Sequence, residues 1–149
     1  MVNDLGNYDQ FLHSLFKSSS KVYKWGLYLR NPLKKFCFNN LTLLGDAAHP
    51  LLPFLGQGGA MAIEDAYSFG SLLLNKNQDF KKTQKIFEKI RLNRVRNIDK
   101  ASKYQGTINH LSNRLLVNTR NFMLKNTNIA SRRTSNIYNY NITEEIKGI

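Results

Sequence analysis

Apolar residues recur at helical spacing between Asp4 and Lys17, where Leu5, Tyr8, Leu12, Leu15 and Phe16 predict a short amphipathic helix ended by Ser18 to Ser20. Val22 to Arg30 is rich in aromatic and β-branched residues and reads as a strand, closed by a turn at Asn31-Pro32. Phe36 to Asn40 follows as a hairpin partner or a turn. Leu41 to Leu44 is a short apolar run, which predicts a strand covered on both faces at the centre of an α/β sheet. Helical period returns from Gln57 to about Leu74 through Met61, Ala62, Ala66, Phe69, Leu72 and Leu73, and Asn75 to Asn77 break it. Asp79 or a neighbour caps the next helix, Phe80 to about Tyr104, whose stripe of Phe80, Phe87, Ile90, Ile98 and Ala101 runs among basic residues. Thr107 to Leu124 repeats the pattern with Ile108, Leu111, Leu115 and Phe122.

The chemistry collects where the apolar run meets the long helix. Gly45 and Asp46 stand at the carboxyl end of the predicted strand, the place where open α/β sheets bind ligands. A carboxylate there can accept hydrogen bonds from paired hydroxyls. Gly56, Gly58 and Gly59 then let backbone approach a ligand closely, because no Cβ intervenes. The first amides of the following helix are unpaired donors at the positive end of its dipole, suited to an anion or an electron-rich carbonyl. Met61 stands where a third glycine would complete G-x-G-x-x-G, so no pyrophosphate fingerprint is present here. His49 reads first as a hydrogen-bonded structural residue. Glu64 and Asp65 fall in early helical turns, where acids stabilise the dipole by about 0.3–1 kcal/mol each without any catalytic role.

Gly45-Asp46-Ala47-Ala48-His49, Pro50, Pro53, Gly56-Gln57-Gly58 and Glu64-Asp65-Ala66 together resemble the second flavin motif of the group A flavoprotein monooxygenases, the family of salicylate-hydroxylase-like aromatic hydroxylases and related epoxidases. Trp25-Gly26-Leu27-Tyr28, Arg30 and Pro32 resemble a stretch of that family's substrate-side sheet, with Leu29 in place of its usual Asp. Phe87-Glu88, Arg91 and Arg94 resemble its Phe/Tyr-Glu-x-x-Arg-x-x-Arg helix, and Tyr138 to Asn141 resemble its aromatic ending. The resemblance covers about residues 20–142 and is motif-grade over 41–66.

The resemblance implies FAD as cofactor. Asp46 would hold the ribityl chain, Pro53 would lie beside the isoalloxazine, and the amides around Gly58 to Ala60 would face the pyrimidine. Gly45, Gly56, Gln57 and Gly59 complete the implied cofactor-binding set. Many members carry Asn at the position of Ala60, which leaves only a backbone contact there. NAD(P)H as reductant, dioxygen and a small aromatic substrate are implied likewise, with no residue needed as nucleophile, general base or metal ligand. The implied fold is α/β: the C-terminal fragment of a Rossmann-like FAD-binding domain, contributing its last strand and motif helix. A remnant of the substrate-domain sheet precedes it and a helical extension follows. Residues 1–38 would end the substrate-binding domain, 39–76 close the FAD-binding domain, and 77–149 form helices and tail.

Charge adds a second reading. The chain of 149 residues carries a formal charge of +12. Residues 1–80 hold 7 Lys+Arg against 6 Asp+Glu, whereas 81–149 hold 15 against 4. Such a block serves nucleic acid, an anionic surface or an acidic partner, but solvated Lys/Asn-rich helices account for it more simply. Cys37 is the single cysteine, excluding an internal disulfide and a Cys-based metal cluster, with a reduced cytoplasmic setting as the default. No run of about 18 apolar residues occurs to span a membrane.

A family enzyme also needs a G-x-G-x-x-G turn and a middle Asp-Gly motif, and this sequence has neither. The expectation is therefore a monooxygenase segment, inactive alone, whose partner is a separate N-terminal FAD-binding chain or the rest of an interrupted one. A non-enzymatic basic binding module and a vestigial fragment are the alternatives.

Overall fold

The computed structural model of the chain describes residues 10–21, 23–74 and 79–148. Helix α1 (Gln10–Ser18) is followed by a hairpin of β1 (Cys37–Phe38) and β2 (Leu41–Thr42) and by two 3-10 turns, Gly45–Ala47 and Pro53–Leu55. Helices α2 (Gly58–Leu73), α3 (Phe80–Asn109), α4 (Arg114–Asn126), α5 (Ile129–Tyr138) and α6 (Ile142–Lys147) complete the order. The molecule is thus α/β in the coarse sense, mostly helical with one two-stranded sheet among the described residues. Residues 4–9 of the first predicted helix and the predicted break at Asn75 to Asn77 lie outside the described residues.

The apolar run at Leu41 does not become a strand covered on both faces. Only Leu41 and Thr42 pair, antiparallel, with Phe38 and Cys37 respectively, and Leu41 is 56% exposed. A strand buried on both faces requires neighbours along both edges, and here side chains of α3 take that place. The Glu88 carboxylate accepts the Phe36 amide and the Cys37 amide, the latter at 3.0 Å. Gln84 Nε2 donates to the Leu41 carbonyl at 3.1 Å and to Thr42 Oγ1 at 3.0 Å, and Lys81 Nζ donates to the Asn39 carbonyl at 2.9 Å. Asn39, at φ 50°, makes the left-handed turn between the strands. Val22 to Arg30 likewise forms no strand among its described residues. Trp25 and Tyr28, expected in sheet packing, are 83% and 90% exposed.

Helix α2 runs over almost the predicted span and packs along α3. Met61 and Leu72 from α2 meet Phe87, Ile90, Val95 and Ile98 from α3, with Phe36, Ala48 and Ile137 closing the core. Phe69 turns its ring against Phe87 at 5.2 Å between centroids. Full burial of a side chain such as Phe87 or Met61 contributes about 1.5–3 kcal/mol. Asp79 caps α3 by accepting the Lys82 amide at 2.6 Å. At its other end α3 continues through Gly106 to Asn109, beyond the predicted stop near Tyr104. The predicted helix Thr107 to Leu124 is consequently divided. Its start belongs to α3, and α4 begins afresh at Asn113, whose side chain accepts the Leu115 and Leu116 amides. Leu115 and Phe122, expected in an apolar stripe, are exposed.

Candidate functional site

The motif forms two 3-10 turns and a helix start on one side of the α2–α3 core. Gly45 is buried at φ 55°, and a Cβ there would lie 3.2 Å from the Ala62 Cβ, so glycine answers both the backbone and the close approach of α2. Asp46 follows on the surface with no side-chain hydrogen bond among the described residues. Arg30 reaches the Ala47 carbonyl at 2.5 Å and so binds the exposed segment before the hairpin to this turn. Pro53 opens the second turn and is exposed. Gly56 ends that turn at φ 62°, its amide donating to the Pro53 carbonyl at 3.0 Å. Gln57 is buried and stands before α2 without capping it through its side chain.

Gly58, Gly59 and Ala60 form the first turn of α2. Gly59 and Ala60 are exposed, and a Cβ added at Gly56, Gly58 or Gly59 would meet nothing within 4 Å. The amino end of α2 therefore offers uncapped amides and the positive end of its dipole to open space. The eight candidate residues thus divide. Gly45 and Gln57 are inside, while Asp46, Pro53, Gly56, Gly59 and Ala60 line the outer surface with Gly58 half-buried between them. That surface suits a ligand carrying hydroxyls and an electron-rich carbonyl, which FAD does, and Gly56, Gly58 and Gly59 place no Cβ in its way.

One turn further along, α2 changes character. Asp65 is fully buried and receives three hydrogen bonds: from the Gly45 amide at 2.8 Å, from His49 Nε2 at 2.6 Å and from Arg91 Nε at 2.6 Å. Burial alone would raise its pKa. The His49 and Gly45 hydrogen bonds and the Arg91 charge outweigh it and hold the carboxyl below the usual range. Burial would also lower the Arg91 pKa, and the charges of Asp65 and Glu64 more than reverse that. Arg91 also donates to Glu64 at 2.6 Å and to the Met61 carbonyl at 3.2 Å. Arg94 joins Glu64 at 3.0 Å and the Ile137 carbonyl at 2.9 Å, and lies 4.0 Å over the Tyr140 ring. The Tyr140 hydroxyl donates to Glu145, and burial followed by that acid drives its pKa upward.

Glu64 and Asp65, expected as dipole-stabilising acids, are instead the hub of a buried ion network. Arg91 and Arg94, expected on a solvated basic face, are buried with them. Two cations of the basic half are thereby internal and neutralised. The spacing held a usable signal: Phe87, Arg91 and Arg94 follow one another at four and three residues and so share one face of α3. Since Phe87 is a core residue, that face is the inner one. His49 is the hydrogen-bonded structural residue the sequence indicates, with Nδ1 buried and without a partner among the described residues. Burial chiefly raises the pKa of the Cys37 thiol, which disfavours its thiolate. Among the described residues no three His, Cys, Asp or Glu side chains converge to hold a metal, and no helix is long and apolar enough to cross a membrane.

A sequence profile described as "FAD binding domain" matches residues 13–87, just over half of the chain. The chain belongs to the FAD-dependent aromatic-ring monooxygenase family. It is 42% identical over 85 residues to the FAD-dependent monooxygenase phomE of Diaporthe leptostromiformis, covering 56% of this chain and 23% of the relative. It is 37% identical over 87 residues to a 3-hydroxybenzoate 6-hydroxylase of Polaromonas naphthalenivorans, covering 58% and 22%. A 3-amino-4-hydroxybenzoate 2-monooxygenase of Streptomyces platensis is 35% identical over 97 residues, covering 65% and 24%. The aligned part thus spans about a quarter of these family members.

Proposed function

We propose that this chain is the flavin-closing segment of an FAD-dependent monooxygenase that hydroxylates a small aromatic ring with NAD(P)H and dioxygen. The observation that carries the reading is the uncapped start of α2, with no Cβ at Gly58 or Gly59, beside an Asp46 side chain that has no partner among the described residues, in a family whose members are flavoenzymes. In this reading Asp46 accepts hydroxyls of the ribityl chain. Gly45 sets its height by packing on Ala62, Pro53 borders the ring system, and Gly56, Gln57 and Gly59 shape the approach. The amides of Gly58 to Ala60 donate to the pyrimidine edge, where the dipole of α2, equivalent to about +0.5 charge, stabilises negative charge as it develops. FAD, when bound, supplies the redox chemistry itself. The chain's residues orient it and keep water from one side.

The substrate class follows the relatives, two of which are named for hydroxybenzoates. Residues 1–38 belong, on this reading, with a substrate-binding domain, residues 39–76 with the FAD-binding domain, and 77–149 with the helices that back it. The pyrophosphate cradle comes from other polypeptide, as a separate chain or as a further part of the same protein, in the cytoplasm. The test is complementation. The chain is mixed with the remaining three quarters of the Polaromonas hydroxylase, and FAD retention is followed through gel filtration, with 3-hydroxybenzoate turnover measured alongside. Flavin retained only by the mixture is expected. No retention in either case overturns the cofactor role, and hydroxylation by the isolated chain with FAD and NADPH overturns its dependence on a partner.

A further inference from the structure

The loop between Pro50 and Gly56 carries Pro53, yet few of its anchors lie in the motif itself. Ser102 Oγ on α3 donates to the Leu52 carbonyl at 2.8 Å. Tyr138 on α5 donates from its hydroxyl to the Leu55 carbonyl at 3.0 Å, across 83 residues of sequence. Phe54 lies edge-on to His110, with centroids 5.5 Å apart. The His110 ring is fixed in turn by a 2.7 Å hydrogen bond between Nδ1 and the Gly106 carbonyl. The tightest contact is with Gly106 itself. A Cβ there would stand 2.4 Å from the Phe54 ring, closer than real Cβ atoms come to a non-bonded neighbour. Gly106 is buried in the continuous helix α3 with no left-handed backbone to explain it. Its lack of a side chain serves the ring that rests on it.

We propose that Gly106 is a positioning residue for the flavin loop, and that Gly106, Ser102 and Tyr138 form a clamp by which the C-terminal helices set the height and orientation of Pro53. The inference rests on the reading of this loop as flavin-facing only for its consequence, not for the clamp. A glycine inside a helix ordinarily weakens it by about 0.5–1 kcal/mol relative to Ala, so Gly106→Ala should favour α3 as a helix. The added methyl instead expels Phe54, and the disturbance falls on the loop because the ring belongs to the loop rather than to the α2–α3 core. Ser102→Ala and Tyr138→Phe each remove one donor and leave one loop carbonyl without its partner.

The experiment is amide hydrogen exchange on the full chain, comparing the Phe54 to Gly56 amides with those of α2 and α3 around Asp65 and Arg91. Gly106→Ala is expected to speed loop exchange by about tenfold or more while the core amides are unchanged. Phe54→Ala should loosen the loop similarly, and adding Gly106→Ala to it should then change nothing further, since the ring that the methyl would strike is gone. Equal speeding of loop and core, independent effects of the two substitutions, or an unaltered loop each overturns the clamp. In the complemented holoenzyme, Gly106→Ala should shift the flavin absorption spectrum and Gly106→Ala/Phe54→Ala should match Phe54→Ala. If the unaltered chain retains no flavin in any mixture, the proposed function falls while the exchange data still decide the clamp.

Discussion

At its amino end α2 presents Gly58, Gly59 and Ala60 to open space, whereas one turn later the same helix holds Glu64 and Asp65 against two buried arginines. Both groups belong to one motif of some twenty residues, and their energetic roles are opposite. The open end carries nothing larger than a methyl group and no side-chain cap, so it contributes little to folding and leaves its donors available. The buried turn satisfies both carboxylate oxygens of Asp65 with strong donors and ties the Gly45–Ala47 turn, α2 and α3 together. The proposed flavin site needs free donors on a frame that does not move. The motif keeps the two requirements one helical turn apart.

Removing a partner from the buried end should have the largest effect. Asp65→Ala leaves Arg91 charged with Glu64 alone, and truncating one member of a buried pair typically costs about 3–5 kcal/mol. Denaturant unfolding should show a correspondingly lower midpoint, and an unchanged midpoint would mean that solvent reaches the network. The same carboxylate sets an acid dependence. Because the folded pKa of Asp65 is below its unfolded value, its stabilisation is complete above the unfolded value of about 3.9 and is lost as pH falls through the lower folded value. Asp65→Asn should abolish that part of the pH dependence, so parallel acid-unfolding curves for the two proteins would contradict the assignment.

Substitutions at the open end should separate stability from binding. Gly58→Ala adds a methyl that meets nothing and should raise stability by about 0.4–1 kcal/mol, while weakening FAD retention in the complemented mixture. Stability and retention moving together would show that the helix start does not face the flavin. Asp46→Ala is a surface change expected within about 0.5 kcal/mol of neutral, and its effect should appear only in flavin retention. The amino end of α2 and its Asp65 turn would then differ in the stability assay, in opposite senses.

Much of this was legible in the residues. The helical period of α2 gave its span to within a residue or two, and the glycine and proline spacing placed the loop before it. The network was read less well. Glu64 and Asp65 look like ordinary acids of early helical turns, and Arg91 and Arg94 like part of a basic surface, until α2 and α3 are laid side by side. The β propensity of 23–30 and of Leu41 to Leu44 overstates the strand content there, because it is expressed only against a neighbouring strand. Gly106 falls between the two predicted helices with no role visible in sequence, because its role is defined by a ring 52 positions away.

Local chemistry therefore decided what needs only near neighbours in sequence: the helices, their caps at Asp79 and Asn113, the left-handed turn at Gly56 and the donors at the start of α2. Tertiary structure decided what depends on bringing distant groups into a space that excludes water. There the Asp65 carboxylate keeps its charge only because Arg91, His49 and the Gly45 amide converge on it, and Phe54 rests only where Gly106 has no side chain.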